Sequence, residues 1–137
     1  MKKNAAIFWI IFTTTASIFN SINIANASEK YSPVEVQYAG DRYLESLLID
    51  GVINFIDFET GSSIKAVVVD NHPIIFEGEG YFVSCVTLVD TSGKEYPVDM
   101  YLYPSENGLV VSHTTYGIAG REDFRKLAKS GIVKKLK

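Results

Sequence analysis

Residues that hold metals or form disulfides are scarce in this chain, whose 137 residues include one cysteine and two histidines. A single cysteine excludes a disulfide scaffold, because Cys85 has no second thiol in the chain to pair with. Most zinc sites are excluded as well, because they need three or four His or Cys ligands. We therefore expect no metal and no other cofactor.

Motifs of the common enzyme classes are also missing. The sequence contains no Gly-x-Ser-x-Gly elbow, no P-loop and no Gly-x-Gly-x-x-Gly fingerprint. Glu77 and Glu79 stand two residues apart in a glycine-rich turn, where solvated carboxylates are the ordinary case. These absences predict a protein that is not an enzyme.

Long apolar runs are confined to the beginning of the chain. Residues 1–4 are basic, residues 5–12 are apolar, and residues 25–27 form a small-x-small triplet, which is the plan of a cleaved secretory signal peptide. An uncleaved anchor is the alternative, but the apolar run is well short of the roughly 20 residues that a spanning helix needs. The sequence therefore predicts a signal peptide, residues 1–27, and release of a bacterial periplasmic or secreted protein.

The remaining residues, 28–137, have the composition of one folded domain. The chain is 47% hydrophobic and 12% aromatic, which excludes a disordered protein. Ser32, Pro33 and Glu35 form a capping box that predicts the start of a helix. Apolar residues then recur at steps of three and four as far as Leu48, which indicates an amphipathic helix.

Residues 52–59 are ambiguous. Their composition suits a strand, whereas the polar residues Ser46, Asp50, Asn54 and Asp57 keep a helical spacing. We favour a second helical segment here and leave a strand as the alternative.

The second half of the chain has the pattern of short strands separated by turns. The predicted strands cover residues 64–69, 74–76, 81–89, 94–103 and 109–116, and a short helix follows over residues 121–129. The expected fold is α+β: a long N-terminal amphipathic helix packed on an antiparallel β-meander, with a short C-terminal helix.

The capped helix, the strand over residues 81–89, its Ser92-Gly93 turn and the two strands that follow resemble the cystatin-like and NTF2-like group of α+β rolls. The resemblance covers most of residues 28–137 and is architectural, since the chain has no Gln-Val-Val-Ala-Gly-like loop of the cystatin inhibitors. Members of this group include secretion-system components, periplasmic binding modules and a few enzymes, so the resemblance implies no single function.

Strand register brings together the polar residues that a catalytic site would use. A three-residue turn before Lys94 places Cys85 opposite Asp99, and pairing of Tyr103 with Leu109 places Asp99 opposite His113. The histidine is then two strands from the thiol, about 9–10 Å away, which is too far for a nucleophilic dyad. We interpret Asp99 and His113 as a cross-strand pair and Cys85 as a packed residue.

The same register places three tyrosines, Tyr81, Tyr101 and Tyr103, on the face opposite the core, with Val111 nearby. An exposed aromatic face is a plausible contact surface for a protein or a glycan. The alternative is that another element, such as the C-terminal helix, covers this face.

Charge is divided unevenly along the chain. The net charge is −3, whereas the last 17 residues hold seven Lys or Arg and two acidic residues. One interpretation is a solvated helix end. The other is an electrostatic contact of Lys134, Lys135 and Lys137 with an anionic membrane, an acidic partner or the protein's own body. Nucleic acid is not expected, because the acidic body repels phosphate.

Two functions remain after these exclusions. The first is an exported binding or adaptor domain of the bacterial envelope that contacts another envelope or secreted protein, either in a secretion or pilus assembly or as an inhibitor or immunity protein. Its candidate binding residues are the three tyrosines, Val111 and the three C-terminal lysines. The alternative is a small enzyme that uses a concave pocket of the roll with Asp99 and His113.

Overall fold

The computed structural model describes residues 31–137, so the predicted signal peptide and its cleavage site lie outside the described residues. The described part is an α+β fold in which two helices pack against an antiparallel, curled sheet of eight strands. This confirms the predicted fold class. From residue 31 onward, no helix is both long and apolar enough to cross a bilayer.

The elements are numbered in chain order. The helices are α1 (Pro33–Ser46) and α2 (Gly117–Lys129). The strands are β1 (Leu48–Ile49), β2 (Val52–Asp57), β3 (Ser62–Asn71), β4 (Phe76–Gly78), β5 (Tyr81–Asp90), β6 (Glu95–Ser105), β7 (Gly108–Tyr116) and β8 (Lys134–Lys135).

All strand pairs are antiparallel. The main order is β1-β2-β3-β5-β6-β7. β3 pairs with residues 86–90 of β5, and β4 pairs with residues 81–83 of the same strand. β8 pairs with β4. On one side of β5, the sheet therefore divides into two parts, with β4 beside the beginning of the strand and β3 beside its end.

Helix α1 begins as the capping box predicts. The Ser32 hydroxyl accepts a hydrogen bond from the Glu35 backbone N–H at 3.3 Å, and the Glu35 carboxylate accepts one from the Ser32 N–H at 2.8 Å. The bonds that the Ser32 backbone N–H and hydroxyl donate to the Glu35 carboxylate lower the pKa of that carboxyl.

Helix α1 has 14 residues and ends at Ser46, so the expected long N-terminal helix is wrong in its length. The chain turns at Asp50 and Gly51, which both have positive φ, of 52° and 81°. An Asp-Gly pair with this backbone forms the two-residue hairpin turn that joins β1 to β2.

The favoured helix over residues 52–59 is also wrong, and the strand alternative is confirmed over β2. Ile53 and Phe55 are buried, whereas Asn54 and Ile56 are exposed. This period of two places alternate side chains on the core, as a strand requires. The helical spacing of the polar residues arose by coincidence, because Asp50 belongs to the turn.

The sheet has a core on each face. The larger core lies between α1 and the sheet, and it includes Val36, Leu44, Ile53, Phe55, Ala66, Phe82, Val86, Leu88, Val98, Met100 and Leu102. The smaller core lies under α2 and consists of Val83, Cys85, Tyr101, Phe124 and Val133. Alternate residues of β5 and β6 contribute to the two cores.

The β5–β6 register is the predicted one. Cys85 pairs with Asp99, and Val86 pairs with Val98. The turn between these strands is held by Asp90, whose carboxylate accepts hydrogen bonds from the backbone N–H groups of residues 92 and 94, at 2.8 and 3.0 Å. The bonds made to this carboxylate, chiefly from the Ser92 hydroxyl, lower the pKa of Asp90.

The predicted β6–β7 register is wrong. Tyr103 pairs with Val110 rather than with Leu109, and a bulge then shifts the pairing between residues 101 and 102. Beyond the bulge, Asp99 pairs with Thr115. A bulge adds one residue to one strand. Beyond it, the side chains of β7 therefore lie on the faces opposite to those that an uninterrupted register would assign.

Candidate functional site

Asp99 and His113 are not brought together. Asp99 is fully buried, and its partner is Arg121 of α2. The Arg121 Nε donates to Oδ2 at 3.1 Å, and Nη2 lies 3.0 Å from Oδ1 in an ion pair. His113 is exposed and lies beside the Tyr101 ring, with centroids 5.4 Å apart. The two residues therefore do not form the cross-strand pair that the sequence predicted.

Cys85 is a packed side chain, as predicted. It is 3% exposed and lies in the core under α2. Burial raises the pKa of the Cys85 thiol, and the neighbouring charge of Asp99 raises it further. The thiol is therefore protonated at neutral pH and lacks the thiolate character of a nucleophile.

The three tyrosines form a continuous row, as predicted. The Tyr81 ring lies 5.7 Å from that of Tyr103 and 6.1 Å from that of Tyr101, measured between centroids. Val110 pairs with Tyr103, and His113 pairs with Tyr101, so both extend the same face. We call these five residues the tyrosine surface.

Helix α2 covers only one end of this face. Tyr101 is 9% exposed and belongs to the core under α2. Tyr103 is 42% exposed and Val110 is 52% exposed. The two interpretations of the face therefore apply to different parts of it, since the C-terminal helix covers the Tyr101 end and leaves the Tyr103 end open.

The Gly78 backbone supports the ring of Tyr81 in this row. A Cβ added at Gly78 would lie 2.3 Å from the Tyr81 ring, so the ring rests directly on the glycine backbone. Burial raises the pKa of Tyr101 to about 12 and also raises that of Tyr81. Both hydroxyls are neutral at pH 7, and they are available as donors and acceptors beside apolar rings.

Val111 does not belong to the tyrosine surface. It pairs with Leu102 and packs against the larger core on the α1 side of the sheet. The prediction failed because the bulge in β7 places Val110 and His113 on the tyrosine side instead. No side-chain pattern in the sequence marks this bulge.

The basic C-terminal end is docked on the domain. Lys134 pairs with Glu77, and Lys135 pairs with Phe76, where β8 meets β4. The neighbouring Val133 and Leu136 are buried. All three lysines of this end are exposed. Their charge is therefore presented from a fixed strand and the residues next to it.

Comparison with protein-family models, with curated proteins and with solved structures finds no match. The resemblance to cystatin-like and NTF2-like rolls stays a prediction. Among residues 31–137, no group of three or more His, Cys, Asp or Glu side chains converges in a way that would hold a metal ion.

Proposed function

We propose that this protein is an exported binding domain of the bacterial envelope, and that it contacts a protein partner through the tyrosine surface. The observation that carries the proposal is the row of three tyrosine rings, ordered at one end by α2 and open at the other. The predicted signal peptide supports the location.

The chemistry of the row suits protein recognition. Tyrosine offers a large apolar ring and a polar tip while losing little side-chain entropy on binding, and it is enriched at interfaces. The rings stand on strands rather than on loops, so their positions are set before a partner arrives. Tyr103 and Val110 supply the exposed contact area, and Tyr81 and Tyr101 support it.

The replacement Tyr103→Ala tests this proposal. We expect affinity for the partner to fall by at least about tenfold, because truncation of an interface hot spot costs about 2 kcal/mol or more. The partner is first captured from envelope extract with the purified protein and identified by mass spectrometry. Its affinity for each variant is then measured by titration calorimetry.

Tyr38→Ala is the matched control, because Tyr38 is a 62% exposed tyrosine on α1. We expect its affinity to stay at the wild-type value, and Tyr103→Phe to keep most of the binding. Equal affinity of the Tyr103→Ala variant and the wild type would contradict binding of the partner through the tyrosine surface.

The exposed lysines at the C-terminal end add a second contact to this proposal, with an anionic membrane surface. Replacing Lys134, Lys135 and Lys137 together with glutamate should reduce binding to phosphatidylglycerol-containing vesicles by at least about tenfold. Each basic residue near an anionic surface contributes about 1 kcal/mol. Binding is measured by vesicle sedimentation.

Salt provides the independent check on this contact. Wild-type binding should weaken as the Debye length falls from about 10 Å at 0.1 M salt to about 3 Å at 1 M. Lys65→Glu, an exposed charge reversal on β3, serves as the control. Vesicle binding that is unchanged by both the triple reversal and salt would mean that the lysines are solvated side chains and do not contact the membrane.

A further inference from the structure

The outer half of β3 has a free edge. β2 pairs with β3 only as far as Ala66, whereas β5 pairs with β3 from Ala66 to Asn71, with a register shift at Val69. Within residues 31–137, the side of residues 67–71 that faces away from β5 therefore has no strand partner. An edge of this kind presents unpaired N–H and C=O groups to an incoming chain.

An open groove of about 250 Å³ runs between this edge and α1. Its apolar lining consists of Leu44, Leu48 and Val68. Leu48 and Val68 are 45% and 39% exposed, so their side chains are available to a ligand. The groove thus combines a strand edge with an apolar wall, as strand-addition sites do.

The spacing between helix and edge is fixed before any ligand arrives. The Asn71 side-chain amide donates to the Asp41 carboxylate at 2.8 Å and so ties the end of β3 to α1. Leu44 is itself part of the larger core. A ligand would therefore enter a preformed groove at a lower entropic cost.

Charge decides which occupant fits. Two carboxylates, Asp41 and Glu45, line the groove, and none of its lining residues is a Lys or Arg. A second copy of this chain, paired edge to edge, would bring the same carboxylates together. A cationic segment would instead place opposite charges along the rim.

We propose that this groove binds an extended segment of another protein, in which apolar residues alternate with Lys or Arg, as an additional strand along β3. The segment's backbone would pair with β3 on either side of the register shift at Val69. Its apolar side chains would lie on Leu44, Leu48 and Val68, and its cations would meet Asp41 and Glu45. This site is separate from the tyrosine surface and does not depend on it.

The probe is a fluorescein-labelled synthetic peptide of about nine alternating valine and lysine residues, a length that covers one strand. Its binding to the purified protein is followed by fluorescence anisotropy. We expect Glu45→Lys to weaken binding by at least about tenfold and Val68→Lys to abolish it. Glu106→Lys, an equal charge reversal in the β6–β7 turn, should bind within about twofold of wild type.

A second peptide with proline in place of the central valine tests for strand addition, because proline cannot donate to a strand ladder. We expect it not to bind. Equal binding of the two peptides, or equal weakening by Glu45→Lys and Glu106→Lys, would reduce the effect to general charge attraction and overturn the proposal. Absence of binding to the wild type would also overturn it.

Sedimentation of the wild type provides the remaining check. A wild-type dimer that Val68→Lys dissociates would identify a second copy as the occupant and would overturn the proposal. A monomer at the concentrations used for the anisotropy titration is the expected result. Circular dichroism of the Glu45→Lys and Val68→Lys variants confirms that each loss of binding is measured on folded protein.

Discussion

Replacing Arg121 with alanine should destabilise the folded protein by about 3–5 kcal/mol. Asp99 has no exposed surface, and Arg121 is its ion-pair partner. Removal of the guanidinium leaves a charged group in the core without a counter-charge. The loss is a large share of the about 5–15 kcal/mol that stabilises a domain of this size.

Urea unfolding at pH 7 measures this change, with Arg125→Ala as the control. Arg125 is exposed on the same helix, and we expect its replacement to change the free energy of unfolding by less than about 0.5 kcal/mol. Replacing Asp99 and Arg121 together with apolar residues of similar volume should recover most of the stability. An Arg121→Ala loss below about 1 kcal/mol would contradict the assigned role of the pair.

Leu44→Ala should cost about 2–5 kcal/mol, because Leu44 is buried in the core between α1 and the sheet. Leu47, the residue after the helix, is only partly buried against the same core. We therefore expect a smaller loss for Leu47→Ala. Both values come from thermal or urea unfolding of the purified variants.

Val34→Ala provides the reference for this pair, since Val34 lies on α1 and is 75% exposed. Its effect should stay within about 0.5 kcal/mol. Similar small losses for Leu44→Ala and Val34→Ala would mean that α1 does not cover the sheet in solution.

Local chemistry explains which parts of the fold were predictable. The helix start at Ser32 and the β5–β6 register both depend on residues within a few positions of each other, namely the capping box and the turn around Asp90. The row of tyrosines followed from that register. Side-chain alternation then fixed which residues share a face.

The failures have two physical causes. The helical spacing of Asp50 with its polar neighbours favours a second helix after Leu48, although Asp50-Gly51 is the strongest short signal for a hairpin turn. The partner of Asp99 was missed because Arg121 is distant in sequence, and only the packing of α2 brings it to the sheet. The bulge in β7 likewise depends on pairing with β6 rather than on local sequence.

Because Cys85 is buried in the folded protein, its thiol can react with other thiols only before folding is complete. In the oxidising compartment that the predicted signal peptide implies, the thiol is open to exchange with other thiols only while the chain is unfolded. Once Phe124 and Val133 pack over the sheet, the Cys85 thiol is no longer accessible to other thiols. For a chain exported as predicted, folding speed rather than a partner cysteine is what limits trapping as mixed disulfides.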